Sequence, residues 1–86
     1  MFNLFKRNTL TGTPLAFNRN IDGELVLNIA SSDGSGTYVF IAQEPLASQI
    51  EGRLFSYRRD LRAVTITVEY DPQDGQTVLT FSILTQ

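Results

Sequence analysis

Between Pro45 and Gln86 the apolar residues change their repeat once, and that change constrains most of what the chain can fold into. Leu46, Ile50, Leu54, Tyr57 and Leu61 recur at intervals of three and four, the spacing of one face of an α-helix. From Val64 the repeat becomes two: Val64, Ile66, Val68 and Tyr70 alternate with Thr65, Thr67 and Glu69, as in a half-buried strand. Asp71-Pro72-Gln73-Asp74-Gly75 then reads as a five-residue loop, with proline early and glycine last. Gln76 to Thr85 is the returning strand, with Leu79, Phe81 and Ile83 inward and Thr80, Ser82 and Leu84 outward.

A helix and one hairpin need further strands to bury their apolar sides, and Thr13 to Ala42 supplies a three-strand meander. Strand one runs from about Pro14 to Arg19, with proline at its first position because proline cannot donate to the ladder. Asn20-Ile21-Asp22-Gly23 is a turn. Strand two, Glu24 to Ala30, puts Leu25, Leu27 and Ile29 on one face, and Ser31 to Gly36 connects it to strand three, Thr37 to Ala42. The helix opens at Pro45, with Glu44 at the positive end of its dipole. Arg58, Arg59 and Arg62 fall in or just past its last turn, where cations offset the negative end. Gly52, mid-helix, allows close packing on the sheet or marks a bend. The order β-β-β-α-β-β implies an α+β fold: a two-layer sandwich of about five antiparallel strands and one helix. Residues 13–86 form one domain. Residues 1–12, with Phe2, Leu4 and Phe5, are an N-terminal arm or an edge strand, and in the sharper reading the arm docks into a partner. One helix covers only part of five strands, so curvature, the arm or a partner chain must protect the rest.

The composition removes whole classes of chemistry. The chain has no cysteine and no histidine, so thiolate, Ser–His–Asp and histidine-metal catalysis are excluded. Asp33-Gly34-Ser35-Gly36-Thr37 lacks the lysine and the following helix of a phosphate cradle. Asp71 and Asp74 lack the ligand spacing of a calcium loop and read as turn residues. Neither carboxylate pair, Asp22 with Glu24 or Glu44 with Glu51, shows a sign of the burial that acid–base catalysis needs. No enzyme activity, cofactor, metal or small-molecule substrate is therefore expected. A net charge of −2 argues against nucleic acid. The N-terminal segment does not resemble a signal peptide and no apolar run is long enough to span a membrane, so the cytoplasm, or an assembled virion, is the expected location.

What remains is a protein partner. Arg53, Arg58, Arg59 and Arg62, with Asp60 among them, form the one concentrated charge, read as a solvated face or as an arginine patch for a partner's carboxylates. Phe55 lies off the helix stripe, at the core margin or exposed, and next to these arginines would make a contact hot spot. The last strand, through Val78, Thr80, Ser82 and Leu84, has no charge, proline or glycine to discourage pairing at its edge. These eight residues, Arg58, Arg59, Arg62, Phe55, Val78, Thr80, Ser82 and Leu84, are the candidate partner-binding set.

Residues 49–86 resemble the C-terminal part of the baseplate-wedge, sheath-initiator family of contractile phage tails. The likeness rests on Leu54-Phe55-Ser56-Tyr57-Arg58-Arg59-Asp60-Leu61-Arg62-Ala63-Val64 and on Val68-Glu69-Tyr70-Asp71-Pro72-Gln73-Asp74-Gly75 with the strand after it. Family members usually carry Glu-Pro-Arg at the corner, where Tyr57-Arg58-Arg59 stands here, and helices in place of the first three strands. The resemblance implies a viral or mobile-element structural component whose hairpin edge pairs with another subunit, with Arg58, Arg59 and Arg62 as corner contacts. The leading expectation is an assembly module that self-associates or joins a larger complex. The alternative is a small acidic inhibitor, of the anti-defence or immunity type, presenting Asp22, Glu24, Asp33, Asp71 and Asp74 to a basic groove.

Overall fold

The computed structural model describes residues 8–85. The expected docking arm, with Phe2, Leu4 and Phe5, lies outside the described residues. The chain runs β1 (Thr9–Arg19), β2 (Leu25–Ser31), β3 (Thr37–Ala42), α1 (Leu46–Phe55), one 3-10 turn (Leu61–Ala63), β4 (Val64–Tyr70) and β5 (Val78–Thr85). This is the expected α+β order. The strands form one antiparallel sheet in the order β3-β2-β1-β4-β5. Ala47, Ile50 and Leu54 of α1 close over Leu25, Leu27, Ile29, Phe40, Val64, Ile66 and Val68 in a single core.

The sequence placed β1 least well. The strand begins at Thr9, inside the segment read as an arm or an edge strand, and lies at the centre of the sheet instead of its edge. Its first part, residues 9–12, pairs with β4, and residues 12–19 pair with β2. The partners change at Gly12, where a Cβ would overlap the carbonyl oxygen of Ala30. Only glycine allows the two backbones so close. Pro14 does not start the strand but lies at a register shift before Ala16. A bulge tolerates a residue without an amide proton, and it leaves Leu15 exposed.

The sheet curls until its two edge strands meet. The Ile41 amide donates to the Gln76 carbonyl at 2.9 Å, and Ile41 stands in parallel register with Thr77. From that contact β3 leads back and β5 leads away, so the result is a partly closed barrel with α1 against its interior. Phe40 and Tyr70, with ring centroids 5.3 Å apart, fill the inside. Curvature thus supplies the cover that one helix could not.

The helix is shorter than its apolar repeat suggests. It ends at Phe55. Tyr57, Arg58 and Asp60 then donate to the carbonyls three residues back, which tightens the chain into turns. Asp60 is extended (φ −151°) and leads through the 3-10 turn into β4. Tyr57 still packs on the core. Arg58, Arg59 and Arg62 therefore lie beyond the helix, and Arg53 is the basic residue of its last turn. Gly52 faces open space, so it serves no close packing on the sheet. In β5 a second register shift, between Glu69 and Tyr70, sets Val78 opposite Tyr70. Val78 is consequently buried, whereas Leu79, expected inward, is exposed.

Candidate functional site

The two ends of α1 carry most of the described charge. At the N-terminal end, Arg19 leaves the last position of β1 and reaches across to the helix. Its Nη2 donates to Glu51 Oε1 at 2.9 Å and its Nη1 to Glu44 Oε2 at 3.2 Å, with a further bond to the Gly23 carbonyl at 2.6 Å. Glu44 also accepts the Ser48 amide at 2.9 Å and the Ser48 hydroxyl at 2.8 Å, so it caps the first turn from just outside it. The Glu51 bond raises the Arg19 pKa above its usual value. The Arg19 bond in turn lowers Glu51, while Ser48 and then Arg19 lower Glu44. Every charge here has a partner within the chain.

The C-terminal end is built from the same residue types with the opposite result. Phe55, the last helical residue, is 55% exposed rather than at the core margin. The Arg58 guanidinium lies over its ring, 4.4 Å from the centroid, and Arg58 Nη1 donates to the Phe55 carbonyl at 3.0 Å. Arg59 is exposed and has no hydrogen-bond or ion-pair partner among the described residues. Among the described residues Arg62 pairs with Asp60 alone, at 3.3 Å, with both side chains largely in water. Arg53 differs from the other three: its Nη2 donates to the Ile83 carbonyl at 3.3 Å and ties the helix to β5.

That last bond revises the reading of the β5 edge. It shows that the backbone of Ile83 points away from β4. By the alternation of an antiparallel ladder, Phe81 and Thr85 do the same, and Thr80, Ser82 and Leu84 spend their backbone groups on β4. Thr80, Ser82 and Leu84 therefore offer only side chains, and Leu84 is 68% exposed. The Val78 side chain lies in the core. Of the eight expected contact residues, the structure gathers Phe55, Arg58, Arg59 and Arg62 at one corner. Thr80, Ser82 and Leu84 lie on the outer face of β5.

The loop carboxylates act as turn residues. Asp33 accepts the Ser31 hydroxyl at 2.7 Å and the Ser35 amide at 2.8 Å, which holds its pKa down to about 2. Asp71 accepts the Gln73 amide, and Asp74 the Gln76 and Thr77 amides, around Gly75 at φ +66°. Among the described residues no three of His, Cys, Asp or Glu converge as metal ligands do, and no helix is long and apolar enough to cross a membrane. Comparison with protein-family models, curated proteins and solved structures returns no match.

Sequence reasoning missed two features. The Arg19 cluster joins residues 25 and 32 positions apart, and only the tertiary fold could bring them together. The outward row of β2 and β3, where Val39 is 43% exposed, was hidden behind the choice of which side of each strand faces in. A glycine inside an alternating run, Gly12 between Leu10 and Pro14, was the available sign that β1 begins early.

Proposed function

We propose that this chain is a non-enzymatic protein-binding module of a larger assembly, and that it makes contact through the corner that follows α1. The observation that carries the reading is the Phe55–Arg58 stack: a half-exposed aromatic under a guanidinium, flanked by Arg59, which has no partner among the described residues. Arginine over an aromatic ring presents apolar area and planar donors together, the composition of binding hot spots. Leu84 adds apolar surface on the outer side of β5, and the outward backbone groups of Phe81 can take a partner strand. A phage-tail baseplate subunit, which residues 49–86 resemble, is one setting for such a module.

Two other readings meet specific observations. Partly open five-stranded barrels of the OB type bind oligonucleotides on the face of strands 2 and 3, using aromatic platforms and cations. The outward face of β2 and β3 carries neither among the described residues. The acidic inhibitor reading draws on Asp22, Glu24, Asp33, Asp71 and Asp74, all on loops or strand ends. Light scattering after size exclusion separates it from assembly: a mass that rises with concentration supports assembly, and a constant monomer favours the inhibitor. The corner itself is tested by Phe55→Ala with Arg58→Ala. Association should fall while circular dichroism and the melting temperature hold, and unchanged association would remove the corner from the contact.

A further inference from the structure

The outward side of the β2–β3 ribbon is complementary to the helix corner. Alternation sends Leu25, Leu27, Phe40 and Ala42 into the core, so their neighbours project the other way. Val26 stands opposite Ile41 and Asn28 opposite Val39, and a Gln43–Glu24 hydrogen bond of 3.0 Å closes the row at its upper end. No helix of the described residues covers this face, because α1 packs on the interior. At its upper end a recess of about 370 Å³ is lined by Asp22, Gly23, Glu24, Gln43 and Glu44. Asp33 and Asp74 stand in the loops that border the ribbon. The face is thus an apolar strip with an acidic rim; Arg19 already holds Glu44 and the Gly23 carbonyl at the recess, so Asp22 and Glu24 are the carboxylates there without a cation among the described residues.

The corner is its inverse: exposed Phe55 under Arg58, followed in the same turns by exposed Arg59 and Arg62. The two surfaces lie at opposite ends of α1, roughly 15 Å apart along a helix of this length, so one molecule cannot join them within itself. We infer that they join two copies of the chain. The Phe55–Arg58 corner of one docks on the Val26/Ile41/Val39 strip of the next, and an arginine enters the Asp22–Glu24 recess. A contact between two different patches is heterologous, so it propagates head to tail instead of closing as a two-fold dimer. This rests on the corner being a contact surface, the reading proposed above, and adds what the corner contacts.

The test uses two variants of the whole chain, each disabled at one surface. Phe55→Glu with Arg58→Glu removes the corner, and Val39→Lys with Glu24→Lys removes the strip. Phe55, Arg58 and Val39 are exposed and Glu24 is at the surface, so both chains should keep the native circular dichroism spectrum. Alone, each should associate at least about tenfold more weakly than the parent. Mixed in equal amounts they should form a dimer of one chain each, and stop there, because each supplies the surface the other lacks. The parent's association should weaken by roughly tenfold between about 0.05 and 0.5 M salt. If only the corner variant loses association, the strip is wrong and the corner reading survives. If neither loses it, both fall. A parent that stays monomeric at millimolar concentration overturns the head-to-tail inference outright.

Discussion

The two ends of α1 hold the same kinds of side chain and do different things with them. At the start, Arg19 meets Glu44 and Glu51, and its side chain is only 29% exposed. At the finish, Arg58 rests on an aromatic ring, Arg59 has no partner among the described residues, and Arg62 is 89% exposed beside one carboxylate. The first end joins sheet to helix, because a charge held by two carboxylates and a carbonyl fixes the angle between the elements it bridges. At the second end only Arg53 ties helix to sheet, through the Ile83 carbonyl, and Arg58, Arg59 and Arg62 bridge no two elements among the described residues. Arginine that does no internal work is free to work externally, and that contrast supports placing the contact surface at the corner rather than at the cluster.

The bluntest way to break the contrast is through the backbone that sets both ends. β1 carries Arg19 at its last position and packs against the 3-10 turn below the corner. Gly12→Ala drives a methyl into the Ala30 carbonyl, which backbone pairing prevents from yielding. A loss of about 3 kcal/mol is expected from overpacking of this kind. Urea denaturation should show it, with Arg19 cluster and corner lost in one transition. A fall below about 1 kcal/mol would mean that β1 and β2 can separate locally and that Gly12 is not the crossing point.

Arg19→Ala comes next. It leaves Glu44 and Glu51 close together without their cation, and its urea midpoint should fall further than that of any single replacement at the corner. The same cluster sets an acid limit. Glu44 and Glu51 titrate below their usual 4.5 in the folded chain, so their contribution is complete above that pH and disappears as pH falls through the lowered values. Asp33, held to about 2 against an ordinary 3.8, extends the loss downward. Thermal melts from pH 6 to pH 2 should therefore slope downward below about pH 4.5, less steeply in Arg19→Ala, and Asp33→Asn should flatten only the lowest part. An unchanged slope in Arg19→Ala would show that the cluster does not hold the native state.

The difference between the ends also explains what could be read from the chain. Period-two and period-four patterns report burial, so Leu25, Leu27, Ile29, Ile50, Leu54, Val64, Ile66 and Val68 were all legible as core, and with them the element order. Periodicity is silent where the backbone departs from it. The helix pattern ran on through Tyr57 because it still packs on the core, and through Leu61, which is half-buried in the 3-10 turn, although the backbone had already turned. One bulge reversed Leu79 and Val78, and another hid the true start of β1. Whether an arginine is paired depends on residues far away in sequence, so Arg19 was read only as the end of a strand until the fold brought Glu44 and Glu51 to it.

Smaller changes sharpen the contrast without disturbing the fold. Gly52→Ala fills open space on the exposed side of α1 and should raise stability by about 1 kcal/mol. Because it touches neither end, it should leave self-association unchanged, which makes it a control for stability effects on binding. Arg62→Ala has the smallest expected effect on the fold and the most pointed one on function. Its one ion pair among the described residues, with Asp60, lies in water, where such pairs contribute between nothing and about 1 kcal/mol, so the melting temperature should stay within error. At the rim of a contact the same charge steers the approach of an acidic partner face, and rim charges act chiefly on the association rate. The expected signature is an unchanged melt with a slower, less salt-sensitive association in stopped-flow scattering. A destabilised fold would place Arg62 with Arg19, among the residues that hold the chain together, and the two ends of α1 would no longer differ in kind.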